Sequence, residues 1–251
     1  MTTVIATGDP RAVAVVAAIH AGDTPRLREL LAEHPELATA ALGTDGPNGN
    51  TRSLLHVATD WPGHYPHVAD TIDVLVAAGA DVHTRFTGPH TETPLHWAAS
   101  SDDVAALDAL LDACVDIEAT GAVIAGGTPL DEAVAFGQWQ TARRLVERGA
   151  YTHLFNAAAL GLHDRVREHL AAKPSAADLT SALWAACHGG QQTTTQEILA
   201  HGGQLNWIAP WDGLTPLDAA RRHHFDDLAT WLTEQGAKSA AELAKASDAD
   251  R

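Results

Sequence analysis

The chain has 251 residues, 45% of them hydrophobic, and is therefore long enough to bury a stable core. Sixteen basic and 32 acidic residues leave a formal net charge of −16, which repels nucleic-acid phosphates and anionic lipid surfaces. We therefore expect no binding to nucleic acid or to a membrane.

The first predicted element is a helix. The apolar run over residues 12–19 follows Asp9, has no basic flank and is too short to cross a bilayer, so it is not a signal peptide or a membrane anchor. The two cysteines, Cys114 and Cys187, lie in separate helical patterns and predict no disulfide framework. These features fit a cytoplasmic protein.

A short motif recurs further along the chain. It reads Thr-Pro-Leu over residues 93–95, 128–130 and 215–217, and weaker versions begin at Ser53 and Ser181. Thr caps a helix, Pro fits the first helical turn, and the small Ala residues that follow let helices approach closely. A second, Leu-rich helical pattern that ends at Gly follows most copies, so each copy predicts one pair of helices.

This motif resembles the signature of the ankyrin-repeat family. The resemblance implies an all-α ankyrin-repeat solenoid of about seven helix-turn-helix units with short β-hairpin loops, of the bacterial stand-alone type. We expect a single domain over residues 1–238 and a short helical or disordered tail over residues 239–251. Counting the signals predicts units that start near residues 10, 52, 93, 128, 153, 180 and 215.

The resemblance also assigns a structural role to the fourth position of the motif. His56 and His96 occupy it, and the family likeness implies that each ring bonds the backbone of the neighbouring repeat. Asp131 and Asp218 stand at the same position and are expected to keep the bonding role.

Two loops depart from the repeat pattern. Residues 60–67 are an insertion between the two helices of the second unit, and insertions in repeats often map to the binding face. Residues 84–92 form an unusually long hairpin. Asp60, His64 and His67 are potential Zn²⁺ ligands, but the loop offers no fourth ligand. We predict no metal and no other cofactor.

The tryptophans fall into two groups. Trp61, Trp207 and Trp211 lie beside Pro or Gly or in a hairpin, where no core receives them, so we favour an exposed contact role. Trp97 and Trp184 lie inside helices, where burial in the core is the favoured interpretation. Both remain candidates for binding as well.

In the ankyrin family a concave groove is lined by the hairpins and by the ends of the first helices. Carried over to this sequence, that surface is rich in aromatic and histidine side chains. The residues that we expect to contact a partner or a ligand are Trp61, His64, Tyr65, His67, Phe86, His90, Trp97, Phe136, Trp184, His188, Trp207 and Trp211.

Carboxylates supply a second kind of candidate. Glu132 stands where other units have apolar or aromatic residues, and burial there would raise its pKa towards that of a useful acid or base. We favour a solvated side chain instead. Asp60 and Glu92 are the other carboxylates expected in the groove, and their positions in loops predict little perturbation.

Two functions from different classes are compatible with these features. The first, which we favour, is a non-catalytic protein that recognises a protein partner in its concave groove, and a basic partner would match the charge of −16. The alternative is a small-molecule-binding or catalytic protein with a pocket under the 60–67 loop. In that case Asp60, Glu92 or Glu132 would act as the acid or base that transfers a proton, and Trp side chains would form the walls of the pocket. Neither a metal nor an organic cofactor would take part.

Overall fold

The computed structural model describes residues 3–43 and 49–249, with side chains through residue 246. The chain is mostly helical and forms two compact units, an N-terminal unit (Met1–Ala150) and a C-terminal unit (Tyr151–Arg251). Seven helix pairs lie within the described residues, as the sequence predicts. No helix in this part of the chain is long and apolar enough to cross a bilayer.

The N-terminal unit contains four helix pairs. Its first helices pack in the order α1, α3, α5 and α7, and its second helices in the order α2, α4, α6 and α8. The pairs are α1 (Pro10–Ala21) with α2 (Thr24–Glu33), α3 (Leu54–Thr59) with α4 (Val68–Ala77), α5 (Pro94–Ser100) with α6 (Val104–Asp112), and α7 (Pro129–Phe136) with α8 (Trp139–Glu147); a 3₁₀ helix spans Pro35–Ala38.

A small sheet precedes the third helix of this unit. Strand β1 (Val4–Ala6) pairs in parallel with β2 (Ala41–Gly43), which pairs antiparallel with β3 (Thr51–Ser53). The antiparallel pair fits the short β-hairpin loops that the resemblance implies, whereas β1 was not predicted. A strand of three residues is too short to show an alternating pattern, so the sequence gives no signal for β1.

The first helices begin at the motif because its residues cap them. Thr128 accepts a hydrogen bond from the Asp131 backbone N–H at 3.3 Å, and the Asp131 carboxylate accepts one from the Thr128 N–H at 2.8 Å. Thr215 and Asp218 form the same capping box. The two aspartates thus cap their own helices, and Asp218 also accepts a hydrogen bond from the Ala240 backbone N–H at 2.8 Å.

The C-terminal unit contains three helix pairs and a last helix. The pairs are α9 (Leu154–Leu160) with α10 (His163–Ala171), α11 (Ala176–His188) with α12 (Gln192–Ala200), and α13 (Pro216–Arg222) with α14 (Asp226–Glu234), followed by α15 (Ala240–Ala249). Helix α11 begins well before Ser181, because Ser175 and Asp178 form a capping box of their own. Leu217, Leu228 and Leu232 are buried in the core of this unit.

The motif histidines bond across repeats, as the resemblance implies. His56 donates from Nε2 to the Glu92 carbonyl at 3.1 Å, and His96 donates from Nε2 to the Gly127 carbonyl at 3.3 Å. Burial lowers the pKa of both imidazoles to about 4, so both rings are neutral at pH 7.

We expect His96→Ala to destabilise the protein by roughly 1–3 kcal/mol at pH 7, because it removes a buried hydrogen bond and leaves its acceptor unpaired. The unfolded chain protonates its histidine near pH 6.5 and the folded protein only near pH 4. Stability from neutral His96 is therefore lost as pH falls through this window. In urea denaturation, the difference in the free energy of unfolding between the wild type and His96→Ala should narrow from pH 7 to pH 5. A difference that stays constant would contradict this explanation.

Candidate functional site

The 60–67 loop is fixed to the helix pairs before and after it. A Cβ on Gly22 would overlap the carbonyl oxygen of Pro66, so the loop lies directly on the end of α1. His64 donates from its backbone N–H to Asp103 at 2.6 Å and from Nε2 to the Ser101 carbonyl at 3.0 Å. The inserted loop therefore links three successive helix pairs.

Other predicted residues of this loop lie at its surface. Tyr65 is half-buried and stacks on the His20 ring at 4.4 Å between ring centroids. Trp61 is 79% exposed, as predicted. His67 caps α4, is exposed and lies 3.7 Å from Asp70. Phe136, also predicted as a contact residue, is half-exposed at the end of α7.

Asp60 forms an ion pair with Arg52. Both side chains are partly exposed. Of the three candidate carboxylates, Glu92 and Glu132 are the two that the structure brings together.

Glu92 and Glu132 form a buried carboxyl pair. Glu132 is 1% exposed and Glu92 is 6% exposed, so the interpretation of Glu132 as a solvated side chain is wrong. Burial, then a hydrogen bond to Glu92 and its nearby charge, raise the pKa of Glu132 to about 9. Glu132 therefore keeps its proton at pH 7.

Three elements hold this pair, which we call the carboxyl pair. Glu92 ends the hairpin before the Thr93 cap of α5, and Glu132 lies in the first turn of α7. The next hairpin covers Glu132, because the Val123 backbone N–H donates to its carboxyl. The apolar residues at this position in other units pointed to burial of Glu132, but the sequence pattern does not show that the neighbouring hairpin encloses it.

The turn that covers Glu132, residues 121–127, is called the covering turn, and its conformation depends on glycine. Gly121 has φ +126°, and a Cβ there would lie 2.5 Å from the Thr91 carbonyl oxygen of the preceding hairpin. Arg85 joins the two hairpins, since it donates to the carbonyls of Thr91 and Thr120. The side chains of Val123 and Ile124 project from the turn and are partly exposed.

An aromatic group adjoins the carboxyl pair. The Trp97 ring lies 4.8 Å from His56 and 5.6 Å from Phe86 between centroids. The Phe86 backbone N–H donates to the Glu92 carbonyl at 2.8 Å, which holds the backbone of Phe86 against that of Glu92. Phe86 and Trp97 are half-buried, and so is His90 in the same hairpin.

The C-terminal unit carries an aromatic surface built from Phe155, Trp184, Trp207 and Trp211, of which the three tryptophans were predicted. Trp211 packs edge-on against Trp184 at 5.1 Å and against Trp207 at 5.2 Å between centroids. Trp184 is buried, as the core interpretation predicts, whereas Trp211 is 49% exposed. Phe155, which the sequence analysis missed, stacks on Trp184 at 6.3 Å.

Polar groups border the aromatic surface. The Arg222 guanidinium lies 5.7 Å from the centre of the Trp184 ring, forms an ion pair with Asp212 at 3.0 Å, and lies 3.4 Å from the buried His188 ring. His188 also stacks on Trp184 at 5.0 Å. Sequence reasoning missed Arg222 because its contacts lie in other parts of the fold, and the motif does not encode them.

The described residues contain no group of three or more His, Cys, Asp or Glu side chains arranged to hold a metal ion. Asp60, His64 and His67 therefore form no such group. The two cysteines are free thiols.

These features define a protein of stacked helix pairs that carries a buried carboxyl pair in one unit and an aromatic surface in the other. Residues 67–156 match the family model of ankyrin repeats, in three copies. The crystal structure of the human ASB11 ankyrin repeat domain matches with a TM-score of 0.50 and 22% identity, over 82% of this chain and 90% of that chain. Residues 67–156 of the chain are therefore ankyrin repeats, and the chain as a whole is similar to ankyrin-repeat proteins.

A curated relative supports the assignment. An ankyrin repeat and KH domain-containing protein of Caenorhabditis briggsae is 29% identical over 206 residues, which is 77% of this chain. The chain spans 7% of the length of that relative.

Proposed function

We propose that the protein binds a protein partner through the aromatic surface of its C-terminal unit. Ankyrin repeats generally mediate contacts between proteins, and this chain carries such repeats. The observation that carries the proposal is the hairpin between α12 and α13, where Ile208 and Trp211 are exposed and Trp207 is half-exposed. Large apolar side chains held in place at a surface are typical of binding hot spots.

The support beneath this surface favours tight binding. Trp211 rests on Trp184 and Phe155, so its ring is held before a partner arrives. A rigid aromatic side chain loses little conformational freedom on binding, which leaves more of the contact energy as affinity. The net charge of −16 favours a basic partner, whose binding would weaken as salt rises. Free thiols at both cysteines support the proposed cytoplasmic location.

The test combines partner isolation with matched variants. A tagged full-length chain is used to purify partners, and calorimetry measures each affinity for the wild type and for Trp211→Ala. We expect Trp211→Ala to weaken binding about 30-fold or more, the loss of one hot-spot residue. Trp61→Ala removes an equally large, exposed side chain from the N-terminal unit and should leave the affinity unchanged. A partner that responds to Trp61→Ala and not to Trp211→Ala would contradict the proposal.

The carboxyl pair favours a second candidate function, a small-molecule site in the N-terminal unit. We place it at Glu92 and Glu132 rather than beneath the 60–67 loop, because Asp60 is held by Arg52 and the loop is fixed to its neighbours. Strongly perturbed carboxyls cluster at functional sites. Thermal-shift screening of a small-molecule library against the wild type and Glu132→Gln tests this function, because true ligands should stabilise only the wild type.

A further inference from the structure

The carboxyl pair lacks a cation. Two carboxyl groups are buried side by side here, and a buried carboxylate in a protein is normally paired with a positive charge. Two arginines of this unit are engaged elsewhere, because Arg52 pairs with Asp60 and Arg85 donates to backbone carbonyls. No Lys or Arg forms an ion pair with Glu92 or Glu132 in the described part of the chain.

Glu132 also has an unused acceptor. Its Oε2 atom is shielded from solvent and has no hydrogen-bond partner, although the residue is 1% exposed. A buried acceptor that lacks a donor costs roughly 1–3 kcal/mol. A ligand with a charged N–H group would supply both the missing donor and the missing positive charge.

We propose that Glu92 and Glu132 bind the ammonium or guanidinium group of an organic ligand. The proposal rests on the second candidate function, a small-molecule site, and names the chemistry of its ligand. A divalent metal fits less well, because Ca²⁺ and Mg²⁺ take about six or more oxygen ligands and the described residues place only two carboxylates here.

The aromatic rings beside the pair define the rest of the ligand. Phe86 and Trp97 are half-buried and in contact with each other at 5.6 Å between centroids. Aromatic faces attract organic cations and also pack against apolar groups. The ligand is therefore a cation carried on an apolar or aromatic body, with the charged group towards Glu132 and the body against these rings.

The covering turn provides the entrance. It consists of residues 121–127, and its internal hydrogen bonds join backbone groups, such as Gly126 N–H to the Ala122 carbonyl at 3.1 Å. Positive φ angles of 53° at Ala125 and 68° at Gly126 mark this turn. Opening it would break the contact between the Val123 N–H and Glu132 and expose the carboxyl pair.

The two histidines near the pair do not titrate close to neutral pH, because burial lowers the pKa of His56 and of His96 to about 4. The charged groups on the neighbouring elements are Asp131, which caps α7, and Arg85, which donates to backbone carbonyls. Any pH dependence of ligand binding between pH 7 and pH 9 therefore reports on the carboxyl pair.

Calorimetry of the full chain at pH 7.5 tests the proposal with benzylammonium and methylguanidinium as probes. Benzyl alcohol, benzoate and magnesium chloride serve as neutral, anionic and metal comparisons. We expect both organic cations to bind at least tenfold more tightly than the three comparisons. Glu132→Gln and Glu92→Gln should each weaken benzylammonium binding at least tenfold. Glu118→Gln, which removes an exposed carboxylate from the neighbouring hairpin, should not change it. Circular dichroism verifies that each variant is folded.

The pH dependence gives a second readout. A bound cation favours ionisation of the carboxyl pair, so binding of methylguanidinium should tighten from pH 7 to pH 9, by at most about tenfold per pH unit. Affinity that stays constant or falls over this range would overturn the proposal, and so would tighter binding of magnesium.

The remaining outcomes distinguish failure of the organic-cation assignment from failure of the small-molecule site on which it rests. Benzyl alcohol or benzoate binding that needs Glu132, without preference for cations, would overturn the organic-cation assignment and preserve the small-molecule site. Absence of binding by every probe at about 10 mM, or equal binding by the wild type and Glu132→Gln, would overturn both.

Discussion

Replacing Glu132 by Gln should abolish most of the decrease in stability that the wild type shows between pH 6.5 and pH 8.5. In the unfolded chain this carboxyl titrates near its usual value of 4.5, whereas burial beside Glu92 raises its folded pKa to about 9. Between these values the folded protein holds a proton that the unfolded chain has released. Raising the pH therefore favours unfolding, with a slope of up to about 1.4 kcal/mol per pH unit.

The raised pKa of Glu132 determines both the direction of the change in stability and the pH range over which it occurs. Stability from the protonated carboxyl is fully present below about pH 4.5 and is lost as pH rises towards 9. His56 and His96 act in the opposite direction, because their folded pKa values of about 4 lie below the unfolded value of 6.5. Their contribution changes mainly below about pH 6.5, and the Cys187 thiol, whose pKa burial raises to about 12, adds a small loss of stability only near the upper end of the series, so Glu132 dominates the range from 6.5 to 8.5.

Urea denaturation at pH 6.5, 7.5 and 8.5 measures the effect. The wild type should lose stability across this series, and Glu132→Gln should be nearly flat. Glu118→Gln removes one exposed carboxylate from the same unit and should retain the wild-type slope. Parallel slopes for the wild type and Glu132→Gln would show that Glu132 holds no extra proton in the folded state.

The helix pairs were predictable because their signals are local. A Thr-Pro-Leu cap and its partner three residues on, such as Thr128 and Asp131, start a helix wherever they occur. The strand β1 was missed because it has three residues and pairs with a segment far along the chain, at Ala41–Gly43. Whether residues 1–238 behave as one domain stays a prediction.

The sequence indicated that Glu132 could be buried, but not which groups surround it in the carboxyl pair. Glu132 stood at an apolar position of the repeat, and that signal pointed towards burial. Its environment depends on Glu92 and on the turn that carries Val123, which reach it only after the hairpins have folded over α7. A residue pattern shows which face of a helix a side chain occupies, but not which loop covers it.

In the aromatic surface, too, the exposure of single residues was predictable, whereas contacts between repeats were not. The exposure of Trp211 and the burial of Trp184 followed from their places in a hairpin and in a helix. The contact of Arg222 with Trp184 joins side chains of two neighbouring repeats, so it depends on how α11 and α13 pack. Whether these side chains bind a partner stays a prediction.

Gly22→Ala should destabilise the protein by about 2–4 kcal/mol and release the 60–67 loop from α1. Gly22 has φ +64°, where a non-glycine residue costs roughly 1–2 kcal/mol. An added Cβ would also overlap the Pro66 carbonyl oxygen, and forced repacking of a close contact costs roughly 1–3 kcal/mol. Backbone lies on both sides of the contact, so a side-chain rotation cannot relieve it.

Gly213→Ala is the matched control, because Gly213 has a similar φ of +72° and open space around its Cβ position. It should show the backbone cost alone, so the difference between the two variants isolates the contact with the loop. Amide hydrogen exchange provides a local readout, since the His64 N–H donates to Asp103 at 2.6 Å and should lose protection in Gly22→Ala. Equal destabilisation by both variants, with His64 still protected, would mean that the loop does not depend on Gly22. Loss of both stability and protection only in Gly22→Ala would establish that the insertion is held against the first helix pair, a fixed part of the fold rather than a lid.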